Sequence, residues 1–184
     1  MRIRDPIHGS ITVSDEETRV IDSRTFQRLR HVRQLGFGDL AFPGATHTRH
    51  AHSLGAMHVA SRLFDAITSR SDLPQSTRER FRAAVRLAVL CHDIGHMPLS
   101  HASESIAPKR GLLKLPSWMK GEPDEQASHE DFTAKLLLDS ELTRIIETTY
   151  AAQGITPQLV ASLVTGELPP GVAGFTEGGI DWTP

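Results

Sequence analysis

The chain has 184 residues, 39% of them apolar and 23% charged, with a formal net charge of −2 at pH 7. This excludes a disordered chain and gives enough length to close one hydrophobic core, so a single domain over residues 1–184 is expected. No apolar run approaches the roughly 20 residues of a membrane helix, the start MRIRDPIHGS lacks a signal-peptide core, and the lone Cys91 excludes an internal disulfide, which points to the cytoplasm.

Residues 1–14 mix β-branched side chains with Pro6 and Gly9 and predict an extended arm or short β-hairpin. SDEE, residues 14–17, has capping-box spacing and opens a helix. SRTFQRLRHVRQLG predicts a second helix, with Phe26, Leu29 and Val32 at helical spacing and Gly36 as its stop. GFGDLAFPGATHT reads as a loop. A helix over 49–68 sets His52, Ala56, Val59 and Leu63 on one stripe, and another over 76–93 aligns Phe81, Val85, Ala88 and His92 within about 40°. His92 is therefore expected to point inward. Gly95 and Pro98 break that pattern. Residues 108–127 predict a loop, then ASHEDFTAKLLLD, SELTRIIETTYAA and TPQLVASLV predict three more helices, and 166–184 is turn-rich. No internal repeat is present, and the fold class expected is all-α.

Between residues 24 and 52 stand five arginines (Arg24, Arg28, Arg30, Arg33 and Arg49) against one acid, Asp39. Such a block either holds an anion by charge-assisted hydrogen bonds or is a solvated helix face. CHDIGHMPLSH, residues 91–101, is more specific. Adjacent His92 and Asp93 at the end of a buried helix offer a nitrogen and an oxygen ligand, a mixed set that suits divalent transition metals. The plain alternative is that they hydrogen-bond each other at the helix end. A metal needs further ligands, and His52 is the best candidate because it shares the apolar stripe of its own helix. Burying two imidazoles and a carboxylate without partners is costly, and shared coordination removes that cost. Gly95 and Pro98 allow His96 and His101 to return over the same helix end, where neutral imidazoles near a metal-bound water suit proton transfer. His47, His50 and His58 are read as non-ligands, and Cys91 as a small core residue.

HDIGHMPLSH, with FPGATHTRHAHSLG and FQRLRHVRQLG upstream and RDPIHGSITVS at the start, strongly resembles the HD-domain phosphohydrolases. Within them it is most similar to the deoxynucleoside triphosphate triphosphohydrolase branch that includes the bacterial dGTPases. The resemblance covers residues 3 to 107 and, more loosely, extends to 140. It implies an HD-type helical bundle in which His52, His92 and Asp93 hold a divalent metal (Mn, Fe, Mg, Zn or Ni). It also implies that His96 is the catalytic histidine and His101 supports it. Glu104 stands where the family often has an Asp, and His129 matches a histidine that reaches the phosphates. By the same resemblance Arg49 contacts phosphate and Gln34 meets the sugar hydroxyl, while oligomers are common in the group.

Each of these residues also has a plain reading: Arg49 at the surface, His129 as a helix-start residue, Glu104 as an exposed helix acid. The family closes its metal site with a further Asp from a stretch like LDADRMDYLLRDS, which this sequence lacks. The chain is therefore expected to be the N-terminal part of a longer protein, and Asp139 and Asp181 have no suitable flanks to substitute. The reaction expected is hydrolysis of a deoxynucleoside triphosphate to deoxynucleoside and triphosphate. The alternatives are an HD-type nucleotidase or phosphodiesterase, or a nucleotide-binding module inactive for want of the last Asp. A nucleic-acid partner is not indicated, because the basic stretch has few aromatics to stack on bases.

Overall fold

In the computed structural model, residues 1–169 are described, together with the backbone of two short strands, β3 (Thr176–Glu177) and β4 (Ile180–Asp181), which pair antiparallel. The chain starts in a hairpin of β1 (Arg2–Asp5) and β2 (Gly9–Thr12), in register from Arg2 opposite Thr12 to Asp5 opposite Gly9. Asp5 Oδ1 accepts from the backbone N–H groups of Ile7 and His8 and closes the turn. Ile11 is fully buried and anchors the hairpin to the core, a burial that stabilises by about 1.5–3 kcal/mol.

Helix α1 (Asp15–Ile21) opens with the capping box that SDEE predicts: Ser14 Oγ accepts from Glu17 N, and the Glu17 carboxylate accepts from Ser14 N. Glu17 is itself buried, and Arg86 meets its carboxylate in an ion pair while donating to the Thr12 carbonyl, 3.0 Å away, and to Ser61. One guanidinium thus ties hairpin, α1 and the two longest helices together. Such a pair is costly to break, because the surviving charge would stay buried.

The expected helix from Ser23 to Gly36 forms only in part. α2 (Arg24–Gln27) tightens into a 3₁₀ turn over Arg28–His31, and Val32 is already extended. There the backbone pairs forward instead: Arg49 N donates to Val32 O, Gln34 N donates to His47 O, and Arg33 bridges Thr48. Tertiary pairing overrides the helical periodicity and brings residues 32–34 against the start of the next helix. Gly36, at φ +57°, serves a later turn whose backbone runs close to Leu99: a Cβ there would lie 2.6 Å from Leu99 O.

α3 (Arg49–Thr68) and α4 (Gln75–Cys91) pack along their lengths. The stripe expected to bury α3 is the wrong one. Of that stripe, Val59 and Leu63 are 49% and 59% exposed, and the buried face is Arg49, His50, Ser53, Leu54, Met57 and Ser61. Small and polar residues line the contact because they let the backbones approach and because polar partners wait opposite, which a hydrophobic stripe does not register. α4 buries Phe81, Ala84, Leu87, Ala88, Leu90 and Cys91, with Val85 and His92 at the edge of that face. α5 (His129–Leu138), α6 (Glu141–Thr149) and α7 (Pro157–Thr165) follow as expected and complete the mostly helical fold. Residues 108–127, expected as a loop, hold a 3₁₀ turn at Arg110–Leu113 and a bridge between Lys109 and Gln126, and are anchored: Arg110 donates to Asp131 and to the carbonyls of Met119 and Gly121. Apart from its first residues and the backbone of β3 and β4, the turn-rich stretch 166–184 lies outside the described residues.

Candidate metal centre

α4 ends at Cys91, and His92, at the helix cap, turns its ring back so that Nδ1 donates to Val89 O over 2.6 Å. That bond fixes the tautomer and leaves the Nε2 lone pair facing Asp93, an arrangement found in metal-ligating histidines. His92 Nε2 lies 3.4 Å from Asp93 Oδ1, and His52 Nε2, arriving from the first turn of α3, lies 3.7 Å from Asp93 Oδ2. The two imidazoles meet edge to face at 5.3 Å. Donor atoms of His52, His92 and Asp93 all lie within 4.8 Å of one another. Burial lowers the pKa of His52, and so favours the neutral, ligating form, against the opposing pull of Asp93.

Asp93 is buried, which by itself raises its pKa, but the hydrogen bond from His96 and the charges of His92 and Arg49 outweigh burial and hold the carboxyl well below the usual range. Arg49 Nη1 donates to Asp93 Oδ2 at 2.7 Å, its Nε donates to Ser100 Oγ at 3.0 Å, and both side chains of the ion pair are about 95% buried. The expected alternative of a surface arginine is therefore excluded. His52, by contrast, is 37% exposed and His92 34%, so both open toward solvent instead of facing a closed interior. A cavity of about 330 Å³ beside them is lined by Ala56, Ala88, Val89, Leu163 and Val164.

The segment after α4 does fold back. Gly95 sits where the start of α5 crosses: an added Cβ would lie 2.1 Å from His129 O and 2.3 Å from Thr133 N. Thr133 Oγ1 closes the crossing, donating to His92 O and accepting from Gly95 N, each at 3.0 Å. His96, 1% exposed, stacks on His129 with ring centroids 3.9 Å apart and places Nε2 3.3 Å from Asp93 Oδ1. Its Nδ1 is buried with no partner. Burial lowers its pKa, with the Asp93 hydrogen bond opposing. Glu104 Oε1 accepts from His129 Nδ1 at 2.7 Å and from His101 Nδ1 at 3.2 Å. Burial raises the Glu104 pKa, but the His129 and His101 contacts prevail and lower it. His129 does start α5, as its plain reading has it, whereas Glu104 is only 29% exposed, and the two side chains hold each other. His101 is 64% exposed and lies at the rim. Gln34 stands beside Arg49, which reaches its backbone carbonyl, while its own Oε1 is buried without a partner.

Of the arginine block, Arg49 and Arg28 serve this centre. Arg28 donates to the carbonyls of Ile94 and His96 and clamps the turn, and desolvation lowers its pKa. Arg33 pairs with Asp39, and Arg30 with Gln27. Asp139 is exposed and pairs with Lys135, so it supplies no ligand, and the Asp181 side chain lies outside the described residues. The sequence marks Arg28 only as one member of the charge block, and it does not point to Thr133 or Ser100. Nothing in spacing marks the first two, but Leu99 and Ser100, at φ +69° and +55°, form a strained non-glycine pair that holds Ser100 against Arg49.

The donor set of two imidazoles and a carboxylate, with one imidazole locked by a backbone carbonyl and the carboxylate held by an arginine, fits a divalent metal. A model of the HD-domain family matches residues 49–165, the segment that holds all three donors. Over 135 residues, 73% of this chain and 24% of the relative, the sequence is 39% identical to the deoxynucleoside triphosphate triphosphohydrolase SAMHD1 homolog of Dictyostelium discoideum. Over 99 residues it is 46% identical to the deoxynucleoside triphosphate triphosphohydrolase SAMHD1 of Homo sapiens and of Bos taurus, covering 54% of this chain and 16% and 17% of those proteins. The chain thus spans about a quarter or less of the length of these relatives. With its bundle, its paired His-Asp and its histidine from the neighbouring helix, the chain belongs to the HD-domain family, whose members bind divalent metals.

Proposed function

We propose that this chain carries the core of a metal-dependent phosphohydrolase that cleaves deoxynucleoside triphosphates to deoxynucleoside and tripolyphosphate, with the cation on His52, His92 and Asp93. The observation that carries this reading is the convergence of those three donors within 4.8 Å, joined through the 3.3 Å His96–Asp93 contact to a second group of proton-carrying side chains. The names of the similar proteins favour a deoxynucleoside triphosphate over other phosphate esters. A bound divalent ion supplies an acidified water and neutralises charge at the attacked phosphorus, and Mn²⁺ is the ion to test first.

The remaining work falls to the chain's own residues. Arg49 holds Asp93 in its ligating pose and adds positive charge beside the incoming phosphate. The Glu104 carboxylate accepts the His129 Nδ1 proton, which leaves Nε2 free to exchange one with the leaving oxygen; His96, stacked on that ring, extends the path back to Asp93. Gln34, with an unpartnered side-chain oxygen, is assigned to the sugar hydroxyl, and His101 to the rim where substrate enters. The only cysteine, Cys91, is buried with its thiol pushed up to about 12, which is compatible with the reducing cytoplasm.

The test is to incubate the protein and Mn²⁺ with deoxynucleoside triphosphates, ribonucleoside triphosphates, monophosphates and cyclic dinucleotides. Tripolyphosphate and deoxynucleoside should appear from the first group, and His92→Ala or Asp93→Ala should lose bound metal and product together. Orthophosphate or pyrophosphate release instead, or turnover that survives both substitutions, would overturn the assignment. Among the described residues no further carboxylate joins the three donors. This favours a second reading, nucleotide binding without turnover, whose sign is a thermal shift by nucleotide with no product.

A further inference from the structure

The side chains of His96, His101, Glu104 and His129 bring four donor atoms within 4.8 Å of one another, outside the His52–His92–Asp93 group. A 3₁₀ segment, Ser100–Ile106, explains half of that cluster: at three residues per turn, positions 101 and 104 eclipse, and His101 Nδ1 meets Glu104 Oε1 at 3.2 Å. The start of α5 supplies the other half, with His129 Nδ1 2.7 Å from the same oxygen. Two imidazole nitrogens therefore converge on one carboxylate oxygen, at separations close to those between neighbouring ligands around a tetrahedral ion. A shorter Asp at 104 would reach less far toward both rings.

The independent sign is His96. It is almost fully buried, its Nδ1 has no partner, and its Nε2 faces the Asp93 carboxylate. A carboxylate behind an imidazole whose other nitrogen is free is the support that metal-bound histidines commonly have.

We propose that His101, Glu104 and His129, with His96 as fourth donor once its ring tilts out of the stack on His129, form a second cation site selective for Zn²⁺. Three imidazoles and one carboxylate match the ligand types and the coordination number of zinc, and suit the harder Mg²⁺ and Mn²⁺ poorly. On binding, the ion takes the place of the Nδ1 protons that His101 and His129 share with Glu104, and each ring takes up a proton at Nε2 through solvent as it gives up the one at Nδ1, so that both ligate as neutral imidazoles. Zinc therefore inhibits hydrolysis, because it occupies the groups that move the proton; this second half rests on the proposed function, whereas the site itself does not.

The ion count decides the matter without activity. The chain, cleared of metal and then equilibrated with Zn²⁺, or with Co²⁺ as a visible-absorbing substitute, should hold two ions. His92→Ala should remove one of them, and His101→Ala or Glu104→Gln should remove the other. Because His101 is largely exposed, its truncation leaves the fold intact. Half-inhibition by Zn²⁺ at fixed Mn²⁺ should also need at least about tenfold more zinc in His101→Ala. One ion per wild-type chain, or a second ion that survives both His101→Ala and Glu104→Gln, overturns the site. If two ions bind as described and no nucleotide is hydrolysed under any condition, the site stands and the hydrolase reading fails.

Discussion

At the scale of single residues, the centre turns on one carboxylate with too many suitors. Asp93 Oδ2 faces Arg49 and His52, and Oδ1 faces His92 and His96. Without a cation, Arg49 is the only permanent positive charge on it. Truncating Arg49 to Met would leave a buried carboxylate unpaired, at a cost of about 3–5 kcal/mol. A cation at the three donors supplies the missing charge, so Arg49→Met should recover part of that loss in Mn²⁺. Urea denaturation in EDTA and in Mn²⁺ measures both halves. Equal midpoints for Arg49→Met and the parent in EDTA would mean that Asp93 does not depend on this arginine. The sequence exposed the members of this set but not their relations. Helical spacing puts His52 on the apolar stripe of its helix, yet that stripe faces solvent, and His52 reaches Asp93 from its first turn because Thr48 and Arg49 pair with residues 32–33. Arg28 looked like one charge among five, and only the folded chain aims it at the carbonyls of Ile94 and His96.

At the scale of elements, capped helices were legible because their signals are local. Ser14 with Glu17 and Ser128 with Asp131 both form capping boxes, and Pro157 starts α7 with Gly166 beyond its end at φ +73°. Those cues need only four residues of chain. The broken α2 was not legible, since what ends it is a pairing partner fifteen residues further on. Gly95 was half legible. In the sequence it marks a turn, but its φ is not in the left-handed region, and the constraint is room: helix α5 crosses at a distance that no side chain tolerates. Gly95→Ala should therefore displace the start of α5 and destabilise the fold by about 3 kcal/mol or more, because the clash is against backbone and cannot be relieved by a rotamer change. His129 rides on that helix start, so proton exchange at Glu104 should suffer with it. Chemical denaturation gives the first effect, and the imidazole resonances of His129 give the second. A Gly95→Ala chain with parental stability would show that the crossing is looser than the structure has it.

At the scale of the whole molecule, the candidate metal centre lies between the two longest of the described helices. His52 belongs to the first turn of α3, and His92 and Asp93 to the end of α4, so an ion held by all three adds to a link that the Arg49–Asp93 ion pair already makes there, beside side-chain packing and the Arg82–Asp65 and Arg86–Ser61 contacts. A cation that binds the folded chain alone adds RT ln(1 + [L]/Kd), which is about 2.7 kcal/mol at a hundredfold excess over Kd. For a chain of this size each kcal/mol moves the melting temperature by about 2–4 °C, so Mn²⁺ should raise it by about 5–10 °C and EDTA should reverse the shift. His52→Ala should lose most of that response while melting near the parent in EDTA, because its half-exposed ring buries little. His58→Ala is the control: His58 lies on the same helix but outside both donor groups, stacked obliquely with His8, and its variant should keep the full shift. A His52→Ala chain that responds to Mn²⁺ as strongly as the parent would place the ion on His92 and Asp93 alone, and α3 would then have no part in holding it.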